Sequence, residues 1–357
     1  MSTLASTLSD EQPLIGMDIG GSCVKRKHEM IRHMVVLVDR VDYVSAQYTE
    51  RPEHPLAAII RSPPEPFVWG TKKAVRRLEW FGDGEHERVV YALWFSISDF
   101  PQFAERVKKD RESKTMHTVR VAATGGGALR LLKEIEEMLG VELVIVDELK
   151  ALTSGWRVDA GESAKYPALV CNVGTGVSLV SVGAALGVYE RVSGSGIGGA
   201  TFWGLVRRLT QFTSFSDAVV AAAHSGDPGR ADTLVGDIYG VETSKAIGMP
   251  ADLVAGFLGK LETGNATDAD VVAALLRMVT SNLGQLAVFQ ARLMGASEVW
   301  FTGGFVEAAS EAAKNTVHQA IVEAVSFWSA GAIQTKFPPD ALLLGALGAV
   351  ASSLNKD

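Results

Sequence analysis

The residues best suited to chemistry sit in short glycine turns. One stretch reads Gly16-Met17-Asp18-Ile19-Gly20-Gly21-Ser22-Cys23-Val24-Lys25, and another reads Val170-Cys171-Asn172-Val173-Gly174-Thr175-Gly176-Val177-Ser178. Both set an apolar run, a small polar residue, glycines and a hydroxyl in the same order. Glycine lets successive backbone N–H groups approach an anion with no Cβ in the way. In the first stretch Ser22 adds a hydroxyl donor and Lys25 can reach a phosphate. Asp18, at a strand end, can hold a Mg²⁺ ion, usually through water. Either stretch alone also reads as a plain hairpin; the pair suggests two phosphate clamps facing each other across a cleft. A third stretch, Phe301-Thr302-Gly303-Gly304-Phe305, ends a strand and precedes a helix. Backbone there can approach a nucleotide base or ribose closely, although a simple helix-entry turn looks the same.

Other nucleotide signatures fit less well. No Gly-x-x-x-x-Gly-Lys-[Ser/Thr] occurs, which argues against a P-loop. Gly194-Ser195-Gly196-Ile197-Gly198-Gly199 matches Gly-x-Gly-x-x-Gly and precedes a helix. A dinucleotide site also needs an acid at the end of the next strand. Asp217 is near the right distance, but residues 202–209 and 216–224 have helical patterns with no strand between, which disfavours that reading. Such a loop still suits an anion at a helix start. The seven histidines show no metal-ligand spacing.

The elements that must position these turns follow from periodicity. Strands are expected at 14–18, 35–38, 91–97, 119–123, 143–146, 168–173, 178–183 and 298–301. Helices are expected at 129–139, from 148 to 157, and at 202–209, 216–224, 253–261, 268–294 and 342–354. Five prolines between 52 and 66 break any long element there. Strands with glycine turns in each half, and helices between, predict two α/β lobes: a tail at 1–13, an N-terminal lobe at 14–150 and a C-terminal lobe at 151–357. The chain has 357 residues, enough for two cores, and a net charge of −7, which argues against nucleic acid as a partner. Only two cysteines occur, far apart, so a reducing compartment is expected. The first 13 residues lack the features of a signal or transit peptide, and no apolar run is expected to approach the length needed to span a bilayer, so the cytoplasm is the expected location.

Taken together, the motifs resemble the type II, eukaryotic-type pantothenate kinases of the actin/hexokinase/Hsp70 superfamily. The resemblance covers roughly 14–26 and 91–354. It rests on the first two glycine stretches, Ala123-Thr124-Gly125-Gly126-Gly127-Ala128, Asp147-Glu148-Leu149, Arg191-Val192, Gly198-Gly199-Ala200-Thr201-Phe202, Gly236-Asp237-Ile238-Tyr239-Gly240, Ser281-Asn282-Leu283-Gly284 and Phe327-Trp328-Ser329. It implies an actin-like, ribonuclease H-like ATPase fold with a nucleotide cleft between two lobes. It also implies transfer of the ATP γ-phosphate to the primary hydroxyl of pantothenate, the first step of coenzyme A synthesis. ATP and Mg²⁺ would be the cofactors, the chain would be a homodimer, and CoA or acyl-CoA would inhibit it.

The reaction needs clamped phosphates, a Mg²⁺ ion and a carboxylate that accepts the hydroxyl proton. Asn172 cannot be that base. The resemblance points to Glu148, which follows the strand at 143–146 at the mouth of a helix. A first-turn acid favoured by the helix dipole would look the same, and Asp147 reads as an N-cap. Arg191 matches the family arginine that steadies the transferring phosphoryl or orients pantothenate. Thr175 and Ser178 match hydroxyls turned toward pantothenate, and Tyr239 and Trp328 match a substrate pocket or dimer wall. Gly20, Gly21, Ser22, Lys25, Gly174, Thr175, Gly176, Gly303 and Gly304, with Asp18, would hold the nucleotide. Departures from the pattern are Ser22 for threonine, Gly196 for a hydroxyl residue, Thr243 for a tyrosine, and Leu342-Leu343-Leu344 for a Gly-Tyr-Phe stretch. Two rival readings are a catalytically weak acyl-CoA-binding regulatory subunit and a sugar or N-acetylglucosamine kinase of the same superfamily.

Overall fold

The structure, a computed structural model, describes residues 14–19, 33–41, 75–81, 87–95, 101, 104, 105, 108, 120–307, 310–339 and 341–354. The chain divides into two compact units. One runs through Glu162 and takes in the chain from Leu342 onward; the other is Ser163–Ala341. The boundary expected at 150/151 falls inside the helix Glu148–Ala160. The C-terminal segment also belongs with the first unit, because glycines let it pack there.

In the first unit the strands are β1 (Leu14–Ile19), β2 (His33–Val41), β3 (Val75–Phe81), β4 (Glu87–Phe95), β5 (Arg120–Thr124) and β6 (Leu143–Ile145). They form one sheet in the order β3-β4-β2-β1-β5-β6. β1 runs antiparallel to β2 and parallel to β5, and β5 runs parallel to β6. β2, β4 and β3 pair antiparallel. On one face of this sheet the helices Glu148–Ala160 and Leu344–Leu354 pack around Ala122, Val146, Ala151 and Ala349. Their approach is so close that a Cβ at Gly155 would overlap the Leu344 backbone. One at Gly348 would overlap Ala151, and one at Gly16 of β1 would overlap Ala346. Gly345 and Gly348, three apart, share the inner helix face.

In the second unit come β7 (Ala168–Val173), β8 (Val177–Val182), β9 (Tyr189–Ser195), a small ribbon of β10 (Thr233–Leu234) and β11 (Val254–Gly256), then β12 (Glu298–Thr302) and β13 (Gln334–Lys336). The main sheet has the order β13-β12-β7-β8-β9. β7, β8 and β9 pair antiparallel, and β12 lies parallel to both β7 and β13. With edge strand β3 set aside, both units repeat one plan: three antiparallel strands followed by two parallel ones. This is the α/β, ribonuclease H-like plan that the resemblance implied. β7 and β12 are buried almost throughout, as central strands covered on both faces should be.

The long helix Asp268–Met294 starts at a capping box between Thr267 and Asp270 and stops at Gly295 in the left-handed conformation. It is long and apolar enough to cross a membrane by length and composition alone, which corrects the expectation that no apolar run approaches that length. Here Leu275, Val279, Leu283 and Val288 pack into the core with Phe202 and Phe301. The helix expected at 253–261 is absent. Val254–Gly256 is a strand, and Leu258 takes φ 59°. The buried Asp232 carboxylate holds that turn, accepting from the Leu258 N–H at 2.8 Å and from the Arg277 guanidinium.

Candidate functional site

In the first unit the candidate residues gather at the carboxyl ends of the parallel strands. Asp18 is the penultimate residue of β1, its register partner Thr124 ends β5, and Glu148 follows β6 by way of Asp147. Asp147 caps the helix, its carboxylate accepting from the Lys150 N–H at 2.9 Å, so the two acids divide their tasks. Asp147 is tied to the backbone. Glu148, the first residue of the helix, is exposed and has no hydrogen-bond or ion-pair partner among the described residues.

Asp18 is partly buried and accepts no hydrogen bond from a described residue. Desolvation pushes its carboxyl up to about 7, and the Glu148 charge adds to the rise. Two carboxylates that repel in this way fit a divalent cation, which would relieve the repulsion. No group of three or more His, Cys, Asp or Glu able to hold a metal occurs among the described residues. A Mg²⁺ ion would therefore complete its shell with water and nucleotide oxygens. Gly345 of the C-terminal helix closes over Asp18, and a Cβ there would overlap the carboxylate. The sequence reading did not single out Gly345. Gly20, Gly21, Ser22 and Lys25, expected to form the first clamp, lie outside the described residues.

In the second unit three glycine segments converge. The turn Gly174–Gly176 closes the β7–β8 hairpin, with the Gly174 N–H donating to the Gly176 carbonyl at 2.9 Å. The start of the helix Gly199–Leu209 docks on it: the Gly199 N–H donates to the Gly174 carbonyl at 2.9 Å and the Ala200 N–H to the Thr175 carbonyl at 3.1 Å. A Cβ at Gly198 would stand 2.8 Å from the Gly176 backbone. From the other side Gly303, at φ 102°, lies against Asn172 and Val173, and the Phe305 N–H donates to the Val173 carbonyl at 3.0 Å. Gly198 and Gly199 are thus parts of the same cradle. The literal Gly-x-Gly-x-x-Gly match had hidden this. β9, which carries its first residues, runs antiparallel to β8, the reverse of a dinucleotide unit.

Arg191 projects from β9 beside a register shift in the β8–β9 pairing. Its guanidinium lies over Gly194, where a Cβ would overlap it. It is exposed and has no partner among the described residues. Thr175 is exposed at the turn, and Ser178 pairs in register with Asn172 at the hairpin base. Tyr239, at the end of the helix Val235–Tyr239, is half exposed. Trp328 is partly buried; its indole donates to Ser281 Oγ at 3.3 Å and its ring meets Phe289 and Phe327 edge-on. Cys171 is buried in β7, and burial holds its thiol well above the usual range.

A family model described as Fumble matches residues 156–352, more than half of the chain. Pantothenate kinase 2 of Arabidopsis thaliana is 35% identical over an alignment of 257 residues that covers 65% of this chain and 28% of that protein. The 4'-phosphopantetheine phosphatase of Mus musculus is 31% identical over an alignment of 261 residues that covers 66% of this chain and 31% of that protein. The chain therefore spans less than a third of the length of either relative. Among solved structures, the activator of the 2-hydroxyisocaproyl-CoA dehydratase from Clostridium difficile, with bound ADPNP, aligns over 96% of this chain and 94% of that one. Its TM-score is 0.49 at 13% identity.

Proposed function

Because this chain belongs to the Fumble family, the type II pantothenate kinases, we propose that it transfers the γ-phosphate of ATP to the primary hydroxyl of pantothenate. The products are 4'-phosphopantothenate and ADP, and the reaction opens coenzyme A synthesis. The observation that carries the reading is the Glu148 carboxylate, without a partner among the described residues and held at a helix start beside Asp18 while Asp147 does the capping. Glu148 takes the hydroxyl proton as the substrate oxygen attacks the γ-phosphorus and the bond to the ADP oxygen breaks. Asp18 would hold Mg²⁺, which would supply positive charge beside the phosphates.

The Gly174–Gly176 cradle, with Gly303 and Gly304, presents backbone to the nucleotide. Arg191, free of any described acid, supplies the guanidinium for the transferring phosphoryl or the pantothenate carboxylate. Thr175 and Ser178 offer hydroxyls to pantothenate. Gly20, Gly21, Ser22 and Lys25 complete the phosphate grip.

The reading extends to a cytoplasmic homodimer inhibited by CoA or acyl-CoA. Support for the dimer comes from exposed apolar side chains: Phe289 and Leu293 on one long helix, Phe327 on its neighbour Glu311–Ser329, and Ile238, Tyr239 and Val241 nearby in sequence to one another. Tyr239 and Trp328 would then line a pocket or the dimer wall.

Phosphorus NMR of the chain with MgATP and either pantothenate or N-acetylglucosamine tests the function. A phosphomonoester formed from pantothenate alone is expected. Transfer to the sugar alone would make the chain a sugar kinase, and CoA-ester binding with no transfer would make it a regulatory subunit.

A further inference from the structure

Thr124 is 1% exposed, and its hydroxyl has no hydrogen-bond partner among the described residues. A buried hydroxyl left unpaired costs stability, so it calls for a reason outside the folded chain's own bonding. Its place supplies one. In neighbouring parallel strands, residues in register point to the same face about 4.8 Å apart, and Thr124 is in register with Asp18. The face is fixed independently from both strands. On β5, Ala122 packs against Ala151 and Ala349. On β1, Gly16 and Asp18 meet Ala346 and Gly345 of the same C-terminal helix. The orphan hydroxyl therefore lies beside a carboxylate that itself accepts no bond from a described residue, under a helix whose glycine leaves that carboxylate its room.

We infer that Thr124 is a positioning residue: its hydroxyl donates to the Asp18 carboxylate when cation and nucleotide are bound, fixing the oxygen that faces the metal shell. The inference rests on the kinase reading for its ligand, MgATP, but needs no particular phosphate acceptor. Gly345 acts with it by excluding any side chain that would push the carboxylate away. Thr124→Val keeps shape and removes the hydroxyl, whereas Thr124→Ser keeps the hydroxyl. A purely structural threonine would make the valine variant less stable; an orphan hydroxyl kept for ligand makes it at least as stable as the parent.

The test is thermal unfolding of the full chain and of T124V, T124S, D18N and the T124V/D18N double variant, each with and without MgADP. A Mg²⁺ titration of turnover follows with whichever acceptor is phosphorylated. We expect T124V to unfold at or above the parent temperature without ligand, to lose at least half of the MgADP-induced shift, and to need several-fold more Mg²⁺ for half-maximal rate. T124S should behave as the parent, and T124V should change nothing further in the D18N background. Three results would each overturn the assignment: a T124V shift equal to the parent's, T124S as impaired as T124V, or additive losses in the double variant. A parent stabilised by MgADP that fails to phosphorylate pantothenate would sink the substrate reading while leaving this one standing. A parent that MgADP does not stabilise would sink both.

Discussion

At the carboxyl ends of β1, β5 and β6 the first unit gathers acids: Asp18, then Asp147 and Glu148. The second unit, built on the same strand order, gathers no acid at the equivalent turn. It offers the Gly174–Gly176 backbone, the helix start at Gly198–Gly199, Gly303, and the guanidinium of Arg191 nearby on β9. One plan thus carries two opposite electrostatic surfaces. Acids suit a cation and a proton, and backbone donors with arginine suit an anion. The difference lies in a few residues at strand ends and not in the sheets that hold them, which is how one fold serves many chemistries.

The largest expected effect tests the acidic side. The Asp18 carboxyl, raised to about 7 from an ordinary 3.8, keeps its proton in the folded state after the unfolded chain has lost it. Its contribution is therefore favourable below about pH 4 and is lost as pH rises toward 7. At about 1.4 kcal/mol per pKa unit the loss amounts to at most about 4 kcal/mol. Denaturant titration of the metal-free chain should show Asp18→Asn equal to the parent near pH 4 and more stable by up to that amount above pH 7. A difference independent of pH would remove the raised Asp18 carboxyl, and the burial that chiefly raises it, from the account.

On the basic side, Arg191→Met should lower kcat by about 10²–10³, the usual loss of one charge-stabilising donor. Its unfolding midpoint should stay unchanged, since the guanidinium makes no described bond; a midpoint shift of several degrees would make Arg191 structural. A smaller effect is expected at the cradle. Gly303→Ala forces a Cβ to 2.5 Å from the Asn172 side-chain oxygen at φ 102°. We expect about 1–3 kcal/mol of lost stability and a raised KM for ATP with little change in that for the acceptor. The smallest belongs to Asp147→Ala. Removing the cap to Lys150 should cost about 1 kcal/mol and leave the pH profile of turnover intact, whereas an altered profile would give Asp147 a share in the chemistry.

Much of this was readable in the sequence because it is local. The glycine turns at 174–176 and 303–304, the Asp147 cap and the strand before Glu148 are each written within a few residues. Strands β3, β9, β10 and β13 do not show in the periodicity: β10 has only two residues, and the others are edge strands, where polar residues such as Glu190, Arg191 and Gln334 interrupt the apolar pattern. The 253–261 segment misled because Leu253, Val254, Leu258 and Leu261 fall at helical spacing, while Gly256, Gly259 and the buried Asp232 enforce a turn. The return of the C-terminal helix to the first unit had no local sign. It depends on Gly16, Gly155, Gly345 and Gly348 meeting backbone far away in sequence. Thr124 stands inside the Ala123–Ala128 motif, but only its buried hydroxyl, without a partner among the described residues, singles it out.

The central claim, that the acidic side performs proton transfer and the glycine cradle serves binding, is tested most directly by Glu148→Gln. ADP release with MgATP and pantothenate should fall by about 10²–10⁴ in kcat, while MgADP still stabilises the variant as it does the parent. Turnover within a few-fold of the parent would contradict the claim and place the base elsewhere.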